Sequence, residues 1–310
     1  MPGDSSTTSE VAHGRRAPFG APPAALVLVA ITSVQLGFAL AKSLFDEFPP
    51  DALAFARLSL SALALGLLWR PDYGRLRHRL TLLGGFGVAL AGLNLSLYAA
   101  MSHAPLGIAI TLAFAGPLGV ALVGSRRPLD FVWVVAAAAG VGLLLGGASH
   151  ASLTGLTLGL LSGCFWAAYI LLSARVGREF SGGRGLAVAL ACAALVVLPF
   201  GVVSGGTTLL DPRFLALGLA VSALSSMLPA SLELEALRRM PTHVFGVLMS
   251  VEPAVAALLG RVVLGERLAG REVAGIALVV ASSVGVSWFG CAPVAAAEAD
   301  ALTGPWGGEV

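Results

Sequence analysis

The sequence predicts an all-α integral membrane protein in which ten transmembrane helices form two inverted five-helix repeats. Composition gives the first observation, since 57% of the 310 residues are hydrophobic and 12% are charged, whereas about a quarter of the residues of a soluble protein are charged. The second observation is a series of ten apolar segments of about 20 residues, the length a helix needs to cross a bilayer. The third is a signature that occurs twice, as PLGVALVG at 117–124 and as PAVAALLG at 253–260.

The ten segments are joined by short connections that hold most of the Arg, Asp, Pro and Gly residues. The segments cover roughly residues 24–43, 51–69, 80–101, 105–124, 130–148, 153–174, 184–205, 213–236, 241–264 and 271–290. We expect the first repeat at 23–148 and the second at 149–290. Residues 1–22 and 291–310 flank the apolar segments and are predicted to be disordered tails.

The two signatures align on Pro117, which follows Gly116, and on Pro253, which follows a carboxylate. Proline lacks a backbone N–H and disturbs the helical turn before it, so the sequence predicts a helix break at each position. In transporters built from two related halves, broken helices at matching positions point to the substrate site near the bilayer midplane. Because each half has an odd number of spans, the halves are predicted to cross the membrane in opposite orientations.

Positive charge is concentrated in alternate connections, which predicts the orientation of the chain in the membrane. The arginines are Arg15 and Arg16 before the first span, Arg70, Arg75, Arg77 and Arg79 after the second, Arg126 and Arg127 after the fourth, Arg175, Arg178 and Arg184 between the sixth and seventh, and Arg238 and Arg239 after the eighth. Since such connections face the cytoplasm, both termini are expected to be cytoplasmic.

A charged side chain at the centre of a transmembrane helix costs about 2.5–3.5 kcal/mol on insertion scales, so it is kept where it faces protein or a water-filled cavity. Glu252 is the clearest candidate, because it lies near the middle of the ninth span beside Pro253. Burial favours the neutral form of a carboxyl group, so Glu252 can exchange a proton, bind a substrate ammonium group, or do both. The alternative is a structural side chain that hydrogen-bonds the backbone near Gly116.

Two further charged candidates lie in the eighth and second spans. Glu233 shares a helical face with Ser222, Ser226 and Pro229, and we expect it to admit substrate or protons near the cytoplasmic end. Arg57 lies about 9 Å into its span at 1.5 Å per residue. It can bind a substrate carboxylate with two hydrogen bonds, or it can extend outwards to acidic residues before the span.

Other polar side chains on three spans are predicted to form the wall of an amphipathic cavity. They are Gln35 and Lys42 on the first span, Asn94 and Tyr98 on the third, and Trp166 and Tyr169 on the sixth. Lys42 ends its span, where it either closes the exit of the polar stripe or extends its ammonium group to the interface. The alternative for the other residues is a set of hydrogen bonds that pack helices together.

Glycines at every fourth residue predict close helix contacts. Gly155, Gly159 and Gly163 follow this spacing in the sixth span, as do Gly142 and Gly146 in the fifth. Small residues at this spacing let helix backbones approach closely.

The sequence predicts no cofactor and no metal site, and it does not indicate an enzyme. Three scattered cysteines fit buried apolar side chains better than a disulfide framework or a zinc site. No basic stripe with interleaved aromatics supports nucleic-acid binding, and no GxxxxGK[ST] run indicates an ATP site.

Five blocks of sequence carry a resemblance to a known family. They are SVQLGFALAKSLF at 33–45, ALAFARLSL at 52–60, PLGIAITLAFAGPLGVALVGSRRPLDFVWVV at 105–135, LPASLELEALRRMPTHVFGVLMSVEPAVAALLG at 228–260 and LGE at 264–266. Together they resemble the drug/metabolite transporter superfamily in its ten-span EamA-type form, and within it the threonine/homoserine exporter branch. The resemblance implies secondary active export of small amino acids across the bacterial inner membrane, by proton antiport with alternating access.

That resemblance also implies the partners: an amino-acid substrate, protons, the lipid bilayer and, in a homodimer, a second copy of the chain. The nearest alternative is the same fold exporting another metabolite or a drug-like solute. Two other classes are a membrane-embedded lipid-modifying enzyme and a passive channel.

Overall fold

The chain folds into a bundle of helices whose bounds lie close to the predicted segments. The computed structural model describes residues 21–69, 79–124, 130–145, 151–179 and 184–289, and all regular secondary structure in these ranges is helical. The α-helices are α1 Pro23–Ser43, α2 Pro50–Trp69, α3 Leu80–His103, α4 Leu106–Gly124, α5 Asp130–Leu145, α6 Leu153–Glu179, α7 Arg184–Gly205, α8 Pro212–Ser222, α9 Leu228–Leu237, α10 Thr242–Met249, α11 Glu252–Val263 and α12 Gly270–Phe289. A 3-10 turn, Gly206–Leu210, follows α7, and a π-helical segment, Ala223–Met227, joins α8 to α9.

The helices correspond to the ten predicted spans: α1 to α7 are the first seven, α8 to α9 the eighth, α10 to α11 the ninth and α12 the tenth. Within the described ranges, nine segments are long and apolar enough to cross a membrane, and Phe131–Leu145 in the fifth span is shorter. Large apolar side chains such as Leu68 and Val203 are exposed on the outside of the bundle, where lipid tails offer an apolar solvent. The prediction of an all-α integral membrane protein is confirmed. Except for residues 21 and 22, the two predicted tails lie outside the described residues.

Prolines begin several helices, because the missing N–H of proline is one that a first helical turn leaves unpaired. Pro23 begins α1, and Pro212 begins α8 after Asp211, whose side chain accepts a hydrogen bond from the Arg213 backbone N–H at 2.9 Å. Pro253 has the same place at the start of α11. The ninth span is therefore broken between Met249 and Glu252, and the break predicted at Pro253 is present.

The break predicted at Gly116 and Pro117 is absent, because α4 runs without interruption through Pro117. The tight contact with α6 explains the difference. A Cβ atom on Gly116 would lie 1.9 Å from the Gly163 carbonyl oxygen, and one on Gly163 would lie 3.0 Å from the carbonyl oxygen of Ala113. In a regular helix the Ala113 carbonyl would accept a hydrogen bond from the N–H of residue 117, which proline lacks. The α6 backbone at Gly163 covers this turn and shields this carbonyl from lipid.

The glycines of the sixth span form the predicted packing seam. Cβ atoms added at Gly155 and Gly159 would approach Ala104 and Leu112 to 3.0 Å, so α6 lies directly against the start of α4. The seam predicted for the fifth span is different, since a Cβ on Gly142 would meet open space, and Gly146 lies outside the described residues. Among the described residues, the largest buried cluster joins the first four spans to the eighth and ninth around Phe38, Tyr98, Met101 and Phe214.

Candidate functional site

A cavity of about 230 Å³ lies between spans of both predicted repeats. Its apolar wall includes Ile31, Val34, Phe38, Leu90, Leu93, Leu97, Ile110, Leu186 and Met249, and its polar side chains are Arg57, Asn94, Trp166, Tyr169, Ser225, Ser226, Glu233 and Glu252. Leu186 is near the start of α7 and Glu233 near the end of α9, so the cavity extends towards the end of the bundle that carries the arginine-rich connections. We call this the arginine-rich end.

Arg57 is the cation of the cavity wall, and neutral groups hold its guanidinium in place. Nη1 donates to Asn94 Oδ1 at 2.5 Å, Nη2 to the Ser225 carbonyl oxygen at 3.1 Å, and Nε to Ser226 Oγ at 3.2 Å. The guanidinium carbon lies 4.8 Å from the centre of the Phe38 ring. Arg57 is in none of the ion pairs found within the described ranges, so its charge is held without a neutralising carboxylate.

The π-helical segment makes this arrangement possible. A π turn leaves backbone carbonyl groups outside the regular α-helical ladder. The Ser225 carbonyl accepts from Arg57, and the Leu224 carbonyl accepts from Ser33 Oγ at 2.7 Å. The same turn shifts the helix register, so Ser222 leaves the predicted cavity face and hydrogen-bonds Ser61 at 2.8 Å.

Glu252 also lines the cavity, where the broken ninth span begins its second helix. It is buried, with 5% of its surface exposed, and its Oε1 accepts a hydrogen bond of 2.8 Å from Gln35 Nε2. Gln35 is fully buried on the first span and does not itself line the cavity. The position of Gln35 thus fixes the orientation of the carboxylate that faces the cavity.

Three more predicted residues line the same space. Glu233 is partly exposed and supplies a second carboxylate nearer the arginine-rich end. Trp166 packs edge-on against Phe114 with ring centres 5.7 Å apart, and Tyr169 stacks on Phe86 at 5.1 Å. These aromatic contacts hold both side chains against the cavity wall.

Besides Gln35, two predicted site residues do not line the cavity. Tyr98 is fully buried next to the cavity and packs on Phe38 with ring centres 6.2 Å apart. Lys42 is at the other end of the bundle, where its ammonium group pairs with Glu266 at 2.6 Å. Lys42 therefore does not touch the cavity, because α1 carries it more than a turn beyond Phe38, the last residue of α1 on the cavity wall.

Sequence reasoning missed Ser225 and the contacts of Glu266. Ser225 became part of the site through the π turn, and the serine pair at 225–226 was the visible signal. Glu266 was visible only as part of the LGE block, since its partners come from distant segments.

Comparison with known proteins places this architecture among transporters. The EamA-like transporter family matches residues 153–288. The threonine/homoserine exporter RhtA of Salmonella typhimurium (strain LT2) is 44% identical over 270 residues, which cover 85% of this chain and 90% of that protein. The protein of the same name from Escherichia coli (strain K12) shows the same identity and coverage. A solved crystal structure, 23% identical, matches the fold with a TM-score of 0.57 over 86% of this chain and 97% of its own.

Proposed function

Because this chain belongs to the drug/metabolite transporter superfamily, in its EamA-type threonine/homoserine exporter branch, we propose that it exports small amino acids across the bacterial inner membrane. The proposal is a carrier with alternating access rather than a channel or a lipid-modifying enzyme. One observation carries it beyond the family: a single small cavity presents an unneutralised guanidinium and two carboxylates. That charge pattern complements a zwitterion.

Arg57 is proposed to bind the carboxylate of the substrate. Its hydrogen bonds go to an amide, a carbonyl and a hydroxyl oxygen, and none of these groups cancels its charge. A cation in a low-dielectric site is costly unless an anion pairs with it, so an entering carboxylate gains strongly there. Stacking on Phe38 keeps the planar fork oriented towards the ligand.

Glu252 is proposed to bind the ammonium group and to couple export to protons. Gln35 orients the carboxylate by donating a hydrogen bond to its Oε1 atom. Facing the cytoplasm, ionised Glu252 binds the substrate ammonium group. Facing outwards, Glu252 takes up a proton, loses its charge and releases the substrate. Glu252 then returns protonated and gives the proton to the cytoplasm, which completes an antiport cycle. Glu233 and the aromatic residues Trp166 and Tyr169 line the path from the cytoplasm.

Helix contacts support the proposal of two inverted repeats. The third span packs on the sixth and seventh, and the fourth packs on the sixth. In the proposed repeat, each span corresponds to the span five places away along the chain. The counterparts of these three contacts are the first span with the eighth, the second with the eighth and the first with the ninth, and these pairs also pack together. The second span with the seventh, the fourth with the ninth and the fifth with the tenth map onto themselves, and these too are contacts.

The orientation proposed from the arginines places the arginine-rich end in the cytoplasm and both termini with it. The cavity then faces the cytoplasm, where it would load substrate for export. Labelling of a cysteine introduced by Leu76→Cys tests this. Reaction with a membrane-impermeant reagent only from the cytoplasmic side is expected, and reaction from outside contradicts the orientation.

Transport by the purified protein in proteoliposomes tests the function. With an imposed pH gradient, we expect threonine and homoserine to move against the proton flow, and unlabelled threonine to drive counterflow of labelled threonine. A panel of amino acids, nucleobases and drug-like solutes separates this proposal from the alternative substrates. Transport of a non-zwitterionic solute without any threonine counterflow would refute the substrate assignment. The homodimer and the repeat boundaries stay predictions.

A further inference from the structure

We propose that Glu266 and Lys42 form a gate that closes the substrate path at the end of the bundle opposite the arginine-rich end. Neither Lys42 nor Glu266 lines the cavity. The inference rests on the proposed alternating-access function. Under that function, the ion pair between Lys42 and Glu266 must break before substrate can leave.

The gate joins three separate parts of the chain. Lys42 Nζ, at the end of α1, lies 2.6 Å from Glu266 Oε1 and donates to the Ala104 carbonyl oxygen at 2.5 Å. Glu266 Oε2 accepts from the Leu106 backbone N–H at 2.8 Å. The first span, the junction of the third and fourth spans, and the loop between α11 and α12 are therefore linked through two side chains.

The pair is enclosed, unlike the ion pair between Arg213 and Glu47 at the same end. Side chains of Lys42 and Glu266 are 18% and 13% exposed, whereas those of Arg213 and Glu47 are 66% and 41% exposed. An exposed pair contributes little to stability, whereas removing one partner of an enclosed pair leaves a buried charge uncompensated and strongly destabilises the geometry that holds it. When the segments separate, water can solvate both charges, so the open state is also accessible.

An aromatic layer lies between this pair and the cavity. Phe38 lines the cavity one turn before Lys42 on α1, and Tyr98 packs on both Phe38 and Phe45, with ring centres 6.2 and 6.0 Å apart. A zwitterion cannot pass this layer unless α1 moves away from its neighbours. The ion pair holds α1 in place at the point where that movement would begin.

Gly260, the last residue of the second signature, makes room for the gate. A Cβ atom there would lie 2.3 Å from Glu266 Oε2, so any larger residue would displace the carboxylate. The Glu266 N–H also donates to the Gly260 carbonyl oxygen at 3.0 Å. The end of α11 thus positions the loop carboxylate against Lys42.

Accessibility of the cavity from each side of the membrane tests the gate without any substrate. Val34 lines the cavity, so Val34→Cys in a background without Cys164, Cys192 and Cys291 reports access by an impermeant maleimide. With the gate intact, we expect labelling in inside-out vesicles and protection in right-side-out vesicles. Lys42→Ala, Glu266→Gln and Gly260→Ala should each raise the outside labelling rate about tenfold, a shift of about 1.4 kcal/mol between the closed and open states.

Glu47→Gln is the matched control, since it breaks the exposed pair at the same end and should leave outside labelling unchanged. Retained labelling from the cytoplasmic side shows that each variant is folded. If Val34→Cys stays protected from outside in the gate variants, the gate is refuted. The same conclusion follows if Glu47→Gln raises outside labelling as much as the gate variants do, or if Val34→Cys with the gate intact is labelled from outside alone. If labelling behaves as expected while threonine is not transported, the gate stands and the substrate assignment fails.

Discussion

Replacing Glu252 by Gln is the most direct test of the proposed coupling, because it removes a charge and little else. Glutamine keeps an Oε1 acceptor in the same place, so the donor Gln35 Nε2, now 2.8 Å from that oxygen, stays satisfied. The bundle should therefore remain folded. The lost charge acts on the substrate, since a hydrogen bond to a charged group contributes about 1.5–3 kcal/mol and a neutral one about 1 kcal/mol.

That difference of about 0.5–2 kcal/mol predicts a loss of apparent threonine affinity of about 2-fold to 30-fold, at about 1.4 kcal/mol per tenfold. Proton-driven export should disappear altogether, because an amide cannot carry a proton across the cycle. The assay is threonine transport in proteoliposomes with and without a pH gradient, together with proton uptake. Glu235→Gln is the control: Glu235 pairs with Arg238 at 3.8 Å and with Arg239, and its loss should change transport less than twofold. Full gradient-driven export by the Glu252→Gln protein would refute the coupling role.

The other predictions concern the guanidinium and a helix crossing. Asn94→Asp places a carboxylate at the atom that now accepts from Arg57 at 2.5 Å, so it should neutralise Arg57 and raise the threonine KM at least about tenfold; an unchanged KM in counterflow would exclude Arg57 as the carboxylate site. Gly116→Ala should lower stability by about 1–3 kcal/mol or more, because its Cβ would lie 1.9 Å from the Gly163 carbonyl oxygen. Gly119→Ala meets open space and should leave the thermal unfolding midpoint in detergent the same or higher, so equal losses in the two variants would contradict the crossing.

The sequence predicted the spans well because hydrocarbon imposes length and composition on each helix independently. It also singled out Arg57, Glu233 and Glu252, which line the cavity, since a charge within a span is costly enough to stand out against an apolar background. It did not predict where the chain would remain helical through a proline, because the backbone at Pro117 is covered by a helix 46 residues away in sequence, at Gly163. Contacts of this kind are set by tertiary packing.

The partners of Lys42 could not be predicted from the sequence for the same physical reason. From sequence, a lysine that ends a polar stripe either closes an exit or reaches the interface, and its partner cannot be read from its own helix. The structure supplies Glu266 and the Ala104 carbonyl as partners, more than 60 residues away in each case. The register of the eighth span was also altered by a π turn, for which helical periodicity gives no signal.

The two signatures suggest how one scaffold can hold a rigid half and a reactive half. In the proposed repeat, the crossing of the fourth and sixth spans corresponds to the crossing of the ninth and first. The first crossing is a close backbone contact between Gly116 and Gly163. At the second, Glu252 occupies the position that Gly116 has in the other half, and it is met by the Gln35 amide at 2.8 Å. A glycine before the proline gives an unbroken, tightly packed helix, whereas a carboxylate before the proline accompanies a break and a cavity. In the proposed repeat, the matched positions would separate support from chemistry, because the glycine packs against a backbone whereas the glutamate, under the proposed coupling, would carry the proton.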